Sequence, residues 1–249
     1  MLDRTAFLRP IAHRGLHAAK RGIIENTLLA FEAAIAKGYG IECDLRPAAG
    51  GHPVVFHDLT LTRLVGRRGP IAALDPAALK QTTLRDGATR IPAFAELLDL
   101  VDGRVPLLVE IKSEWDPPDR VFLGKLCKMA QGYRGPIALM SFDPAVMASV
   151  KELCPGVPRG IVSGNYTGAG WWNRKITKAR ALRLRDLLES AAVAPDFFAY
   201  QIGALPTPVT QFTREVLGLP LFTWTVRSAK DRASAAKWAD AAIFEGFEP

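Results

Sequence analysis

Short apolar runs alternate with longer amphipathic segments along most of the chain. Eight of these runs have the length of a buried strand, at residues 10–13, 40–45, 106–112, 136–142, 159–164, 196–201, 220–226 and 241–246. Several of them begin at or just after a proline or glycine, as strand boundaries often do. The pattern therefore predicts eight strands spread over the whole sequence.

Helical spacing of apolar residues predicts helices between several of these strands. The segment 26–38 has Leu28, Phe31 and Ile35 at this spacing, and Gly38 is a helix stop signal. Three further segments are predicted as helices from the same kinds of signal: 91–103, 143–153 and 228–240.

Strands that alternate with helices are typical of a parallel sheet, and eight is the number of strands that closes a (β/α)8 barrel. An open doubly wound sheet is the alternative, but no GxGxxG loop follows the first strand. The alternation breaks at 54–90, which is predicted to be a short strand, loops and one short helix inserted after the second strand. We find no linker or repeat, so we expect a single α/β domain, a TIM barrel, over residues 1–249.

Composition narrows the class of protein. Hydrophobic residues make up 49% of the chain, which is ample for a core and excludes a disordered protein. No apolar run reaches the roughly 18 residues of a membrane span, and the charged N-terminal stretch does not resemble a targeting segment. The scattered residues Cys43, Cys127 and Cys154 form neither a disulfide framework nor a zinc motif. We expect them to be buried thiols in a reducing, cytoplasmic compartment.

The net charge of +7 indicates a surface that attracts anions such as phosphates, nucleic acid or an anionic membrane. An arginine- and alanine-rich composition accounts for such a charge without any partner. The densest basic segment, 171–185, opens with Trp171 and Trp172. Tryptophan beside a basic helix is one sign of membrane-surface contact. A solvated helix face is the favoured interpretation, and no nucleic-acid partner is expected.

Charged residues cluster where the predicted strands end, which is where the active site of a parallel barrel forms. In GYGIECDLR, Glu42 and Asp44 share one face of the strand, whereas Cys43 points to the other face, towards the helices. Two carboxylates on one face repel each other unless a positive charge joins them. The other strand ends deliver His13, Arg14, His57, Glu110 and Lys112.

The chemistry of these groups indicates phosphodiester cleavage. Three carboxylates suit a hard divalent cation, Mg²⁺ or Ca²⁺, whereas no HxH or HExxH motif is present for zinc. Arg14 and Lys112 suit an anion, and two histidines supply an acid and a base near neutral pH. The lack of a P-loop disfavours a nucleoside triphosphatase.

Ordered blocks of the sequence resemble a known family, the glycerophosphodiester phosphodiesterases. The blocks are IAHRG, ENTLLAF, GIECDLR, VVFHD followed closely by LTR, LLVEIK, SFDP and TWTV, from residue 11 to about residue 226. The resemblance implies a TIM barrel with a segment inserted after the second strand. It also implies metal-dependent hydrolysis of a small-molecule glycerophosphodiester to glycerol 3-phosphate and an alcohol.

The same resemblance implies a role for each site residue. Which histidine is the acid, and whether water or a glycerol hydroxyl attacks, stays open. For Trp224, an ordinary position in the barrel core is the alternative to a role in the substrate pocket. The roles are an acid–base pair of His13 and His57, metal ligands Glu42, Asp44 and Glu110, phosphate contacts Arg14 and Lys112, a pocket wall at Trp224, and a position near the site for Glu25.

Two positions depart from the family pattern near the predicted pocket rim. Arg227 stands where the family often has asparagine, and the last strand ends in IFEGFEP, with Glu245 one residue earlier than the usual acid. These departures bear on substrate choice more than on chemistry. His17 and His52 have no counterpart in the family pattern and are expected to be exposed.

Three other functions are weighed against this one. Lysophospholipase D-type cleavage on the same barrel requires an apolar channel, for which Tyr166, Trp171 and Trp172 are candidates. A metal-independent barrel like the phosphoinositide phospholipases is disfavoured, because three carboxylates would then have no purpose. A barrel that only binds glycerophosphodiesters or a membrane surface is disfavoured because every expected ligand position is present.

Overall fold

Nine strands form one sheet in the computed structural model, which describes residues 1–167 and 171–249 apart from the side chains of Trp171 and Asn173. The strands are β1 (Ile11–Ala12), β2 (Gly40–Ala48), β3 (His52–Val55), β4 (Leu107–Ile111), β5 (Ile137–Ser141), β6 (Arg159–Ser163), β7 (Phe197–Gln201), β8 (Leu221–Val226) and β9 (Ala241–Phe244). Eight of them run parallel in the order β1-β9-β8-β7-β6-β5-β4-β2, and β1 also pairs with β2, so the sheet closes on itself. The predicted TIM barrel is therefore confirmed.

The predicted helices form at 28–36, 94–101, 144–153 and 229–238, and the side chains of Thr27, Asp143 and Ser228 cap three of them. The helix at Arg120–Gly132 is not evident from the sequence pattern, since Gly124 inside it weakens the helical signal. The described α-helices are α1 (Arg4–Phe7), α2 (Leu28–Ala36), α3 (Pro76–Gln81), α4 (Phe94–Val101), α5 (Arg120–Gly132), α6 (Pro144–Leu153), α7 (Lys178–Arg185), α8 (Pro208–Gln211) and α9 (Ala229–Trp238).

The segment inserted after β2 begins with β3, which pairs antiparallel to the end of β2 outside the barrel. The chain then passes through loops, a short 3₁₀ turn at Ile71–Ala73 and α3 before it returns to the barrel. This arrangement agrees with the predicted short strand, loops and single short helix. Apolar residues give the insertion a small core of its own: Val54, Phe56, Leu61, Ile71, Leu74, Leu79, Leu84 and Ile91.

Alternation along the strands divides the main core into two layers. Leu108 in β4 and Phe197 in β7 belong to a cluster inside the barrel, whereas the next residues, Val109 and Phe198, pack between strands and helices. Cys43 lies in this outer layer and is fully buried, as its predicted orientation requires. The inner layer closes the barrel below the carboxyl ends of its strands, where the polar groups of β2 and β4 collect.

All three cysteines are buried free thiols, as expected. The sequence does not predict that two of them meet. Cys127 of α5 and Cys154 at the end of α6 have their sulfur atoms 2.8 Å apart. They come together because α5 and α6 pack side by side on the barrel.

The basic segment 171–185 contains α7, which packs on the protein through Ala181 and Leu184. Leu182 is exposed, whereas several cations of the segment pair with acids of the chain: Lys175 with Glu114, Arg180 and Arg183 with Glu189, and Arg185 with Asp186. In the described part of the chain, no helix has the length and apolarity needed to cross a membrane.

Candidate active site

Three buried carboxylates meet at the carboxyl ends of β2 and β4, as predicted. Parallel pairing sets Asp44 beside Glu110, and Glu42 shares a strand face with Asp44. One carboxylate oxygen from each residue lies within 4.8 Å of the other two, and all three side chains are buried. A compact set of anionic oxygen donors is what Mg²⁺ and Ca²⁺ bind. The residues present therefore fit a hard divalent cation.

Cationic and amide groups of the chain hold two of these carboxylates in place. Lys112 Nζ lies 2.8 Å from Asp44 Oδ1 and 2.5 Å from Glu110 Oε1. The side-chain amide of Asn26 donates to Asp44 Oδ2 at 2.7 Å, and Arg14 Nε lies 3.2 Å from the same oxygen. Oxygens that are fixed in this way present a pre-arranged site to a ligand.

The two acids of β2 differ in how well their charge is compensated. Burial raises the pKa of Glu42 well above its usual value, and the carboxylates of Asp44 and Glu110 raise it further. Burial also acts to raise the pKa of Asp44, but Lys112 and Arg14 outweigh it and the pKa lies far below its usual value. Of these two acids, Glu42 has the less compensated negative charge, and a cation at this cluster would supply the positive charge it lacks.

A tight turn after β1 brings Arg14 to the carboxylates. Arg14 has a left-handed backbone, with φ at +55°, and its N–H donates to Glu42 Oε2 at 3.0 Å. Gly15 follows with φ at +77°, and a Cβ atom there would lie 2.8 Å from the backbone carbon of Ala30 in α2. Only glycine fits this close approach of the turn to the helix, which explains the glycine of the IAHRG block.

His13 follows β1 and is held by an acid from the other end of the chain. Its Nδ1 lies 2.7 Å from Glu245 Oε2, and its Nε2 lies 4.0 Å from Glu42 Oε2. Burial lowers the pKa of His13, although the hydrogen bond with Glu245 acts to raise it. The prediction that His17 is exposed is wrong, because the loop after β1 folds back and leaves His17 half-buried next to His13 and Glu245. His52 is exposed, as expected.

His57 follows β3 in the insertion and is held by its neighbour in sequence. Its Nδ1 lies 2.8 Å from Asp58 Oδ1, and Arg63 Nε donates to Asp58 Oδ2 at 2.6 Å. The same guanidinium donates two hydrogen bonds to Glu25, at 2.9 and 2.6 Å. Glu25 in turn accepts from Arg14 at 2.8 Å. Glu25 therefore lies near the site, where its carboxylate holds the side chains of Arg14 and Arg63 in place.

A cavity of about 750 Å³ opens above these groups. One part of its wall is aromatic, with Trp115, Phe142 and Trp224. The Trp224 ring packs edge-on against Phe142 at 5.3 Å and donates to the carbonyl of Ala199 at 3.3 Å, so the residue belongs to the barrel wall and to the cavity at once. The predicted residues on the cavity wall are His13, Arg14, Glu42, His57, Glu110, Lys112 and Trp224.

The predicted set does not include Asn26, Asp58 and Arg63, which hydrogen-bond to its members Asp44, His57 and Glu25. Asn26 stands in the ENT block, where its polar side chain suggests a helix start, but its left-handed backbone (φ +56°) turns it towards Asp44. Asp58 and Arg63 lie in the HD and LTR blocks, and this proximity to His57 is the signal that points to them.

The aromatic residues considered for a lipid channel lie elsewhere. Tyr166 and Trp172 pack edge-on against each other with ring centres 5.9 Å apart. Neither of these two side chains contributes to the cavity wall that the described residues form. The side chain of Trp171 lies outside the described part of the chain.

Comparison with known proteins finds one family. The model of the glycerophosphoryl diester phosphodiesterase family matches residues 13–247. A curated glycerophosphodiester phosphodiesterase from Caldanaerobacter subterraneus subsp. tengcongensis is 27% identical over 234 residues, which are 89% of this chain and 86% of that protein. A probable glycerophosphodiester phosphodiesterase 1 from Mycobacterium tuberculosis is 38% identical over 72 residues, which are 28% of this chain and 25% of that protein.

Solved structures share the fold. A putative glycerophosphoryl diester phosphodiesterase from Silicibacter pomeroyi has a TM-score of 0.75 at 24% identity and covers 95% of this chain and 89% of its own. A phosphodiesterase from Oleispira antarctica, solved in complex with the product sn-glycerol-3-phosphate, has a TM-score of 0.75 at 21% identity. This similarity covers 95% of this chain and 92% of the other.

Proposed function

Because the chain belongs to the glycerophosphoryl diester phosphodiesterase family and is a phosphoric diester hydrolase, we propose that it cleaves glycerophosphodiesters by metal-dependent catalysis with two histidines. The products are glycerol 3-phosphate and a free alcohol. One observation carries the proposal: Glu42 and Glu110 line one cavity together with two histidines, an arginine and a lysine, and Asp44 completes their buried carboxylate cluster. The Oleispira relative, which binds sn-glycerol-3-phosphate, supports a glycerol phosphate as the part of the substrate that this site holds.

The carboxylates of Glu42, Asp44 and Glu110 are the residues that would hold a cation, and their oxygen-only donor set favours Mg²⁺ or Ca²⁺. When bound, such a cation acts as a Lewis acid that stabilises charge on the phosphate. Arg14 and Lys112 lie on the cavity wall beside these carboxylates, where their positive charges attract and orient the phosphodiester.

Each histidine is arranged to exchange a proton through Nε2. The Nδ1 atoms of His13 and His57 both face carboxylates. An ionised carboxylate only accepts hydrogen bonds, so Nδ1 carries the proton in both rings. One neutral ring then accepts the proton of the attacking oxygen, and the other, protonated, donates one to the departing alcohol.

A lysophospholipid is the second candidate substrate, because the aromatic wall of Trp115, Phe142 and Trp224 offers contact to an apolar group. The same proton transfers apply to it, and the product would be lysophosphatidate. The polar groups of the cavity do not distinguish the two substrates, since both contain the same phosphodiester.

The test is an assay of the purified protein on a panel of glycerophosphodiesters and lysophospholipids with Mg²⁺, Ca²⁺ or EDTA. We expect glycerol 3-phosphate with a metal and loss of turnover in EDTA. Preferential release of lysophosphatidate would favour the second candidate. Full turnover in EDTA would contradict the role of the metal, and no product under any condition would overturn the proposal.

A matched pair of variants tests the metal site separately. Glu110→Gln removes one carboxylate of the cluster, whereas Glu152→Gln removes an exposed glutamate that pairs with Arg120 far from the cavity. We expect Glu110→Gln to raise the metal concentration needed for half-maximal activity, and Glu152→Gln to leave it unchanged. Equal metal dependence in both variants would contradict the assignment of Glu110.

A further inference from the structure

The two departures from the family pattern touch each other beside His13. Arg227 Nη2 donates to Glu245 Oε2 at 2.8 Å, and the same oxygen lies 2.7 Å from His13 Nδ1. Three side chains from both ends of the sequence are thus joined through one carboxylate oxygen. Arg227 and His13 also lie on the cavity wall.

Backbone pairing sets these three residues at the same height in the barrel. Each of them is the first residue after its strand: Arg227 after β8, Glu245 after β9 and His13 after β1. The Glu245 N–H donates to the carbonyl of Val226, and the His13 N–H donates to the carbonyl of Phe244, both at 3.0 Å. The contact between the side chains therefore follows from the ladder that closes the barrel and does not depend on a loose loop.

We propose that Glu245 is a positioning residue for His13 and that Arg227 fixes the Glu245 carboxylate. The carboxylate accepts the Nδ1 proton, which leaves Nε2 of the neutral ring as the atom that exchanges protons in the cavity. It also fixes the orientation of the imidazole, as the third member of a catalytic triad does. This inference rests on the proposed role of His13 as an acid–base group.

Charge supports this assignment. The hydrogen bond from His13 is the main cause that lowers the pKa of Glu245 to about 2, and the contact with Arg227 lowers it further. Glu245 is therefore an anion at every pH at which His13 can act as a base. A neutral side chain at this position could donate to Nδ1 and shift the proton of the ring to Nε2, which would remove the accepting atom from the cavity.

The direct test reads the tautomer of His13 and needs no turnover. The chain has four histidines, so ring-nitrogen NMR of uniformly ¹⁵N-labelled protein resolves each ring, and His13→Ala assigns the signal of His13. We expect the Nδ1–H tautomer in the wild type and a gain of the Nε2–H tautomer in Glu245→Gln. The same tautomer in both proteins would overturn the inference even if the enzyme is active. A changed tautomer in a protein without activity would locate the failure in the proposed function instead.

Kinetics test the consequence. Glu245→Gln should lower kcat about 10- to 100-fold, the range for outer hydrogen-bond partners of metal-site residues, with little change in KM. Glu245→Asp, which keeps the charge, should recover part of the loss. The matched control is Glu248→Gln, an exposed glutamate three residues later that pairs with Lys37, and it should match the wild type.

A double-mutant cycle decides whether Glu245 acts through His13. In the His13→Ala background, Glu245→Gln should have no further effect on kcat, because its target is already removed. Additive losses would contradict the positioning role. A shift of the metal dependence in Glu245→Gln would also overturn it, since Glu245 and the half-buried His17 would then belong to the metal site.

Discussion

The two histidines of the site are both oriented by a carboxylate that an arginine holds, but the two arrangements arise differently. His57 uses Asp58, its immediate neighbour in sequence, whereas His13 uses Glu245, which is 232 positions away. The first pair is local and requires only the short segment that follows β3. The second exists only when β9 pairs with β1 and closes the barrel.

The two histidine–carboxylate pairs also differ in the further ion pairs that their carboxylates make. Arg63 joins Asp58 to Glu25, and Glu25 leads through Arg14 to Asp44 of the carboxylate cluster. Arg227 joins Glu245 at the cavity rim, where about half of its side chain is exposed. The side chain of His57 is 32% exposed and that of His13 is 12% exposed. The more buried ring thus depends on the more distant partner, and the more exposed ring belongs to the larger network.

The largest expected effect comes from removing either ring. His13→Ala and His57→Ala should each lower kcat at least about 100-fold, because each removes an acid or a base. His52→Ala is the matched control, since His52 is exposed at the start of β3, and it should retain full activity in the same assay. Near-normal activity of both site variants would contradict the assignment of His13 and His57 as the acid–base pair.

A smaller effect is expected from the carboxylate of the local pair. Asp58→Asn should lower kcat about 10-fold, towards the low end of the range for outer hydrogen-bond partners of metal-site residues. The loss is small because the backbone beside His57 stays paired with β2 through the hydrogen bond from the Phe56 N–H to the Asp44 carbonyl. Asp99→Asn, on the exposed side of α4, controls for the loss of a charge. A loss of kcat larger than that of Glu245→Gln would contradict this order, since turnover would then depend more on Asp58 than on Glu245.

The arginines should differ in their contribution to stability. Arg63→Ala breaks ion pairs with Asp58 and Glu25 and should lower the free energy of unfolding by about 1 kcal/mol, whereas Arg227→Ala breaks one exposed pair and should cost about 0.5 kcal/mol or less. Urea denaturation of the two variants in parallel measures the difference. A larger loss of stability in Arg227→Ala than in Arg63→Ala would contradict the view that His57 and Asp58 belong to the larger network of ion pairs.

Stability should also depend on pH through Glu245. The pKa of Glu245 is lowered to about 2 from an ordinary 4.5, mainly by the hydrogen bond with His13. A lowered acid stabilises the folded state above its unfolded pKa, and this contribution is lost as pH falls through the folded pKa. The difference in free energy of unfolding between wild type and Glu245→Gln should therefore shrink as pH falls from about 4 towards 2. A difference that does not shrink over this range would contradict the pairing.

Much of the fold can be predicted from the sequence because it follows local periodicity. Apolar runs predict the eight parallel strands, and the spacing of Glu42 and Asp44 places both on one strand face. The order of strands around the barrel then brings Glu110 beside them. These predictions depend only on side-chain alternation and on the usual topology of parallel sheets.

Contacts between distant segments cannot be read in this way. The meeting of Cys127 with Cys154 depends on how two helices pack, and the burial of His17 depends on the path of one loop. The role of Asn26 cannot be read from the sequence because asparagine suits two different positions. It is common at helix starts, and it also suits the left-handed backbone that turns its side chain towards Asp44.

The sequence by itself determines the eight barrel strands, four of the helices on the barrel, the shared face of the two acids in β2 and the neighbouring pair of His57 and Asp58, because each of these depends on residues close together in the chain. Only the tertiary structure decides that Glu245 orients His13 and that Arg227 holds Glu245. The physical reason is the closure of the barrel: the register of β8, β9 and β1 sets the three residues at one height. No periodic pattern in the chain encodes that distance.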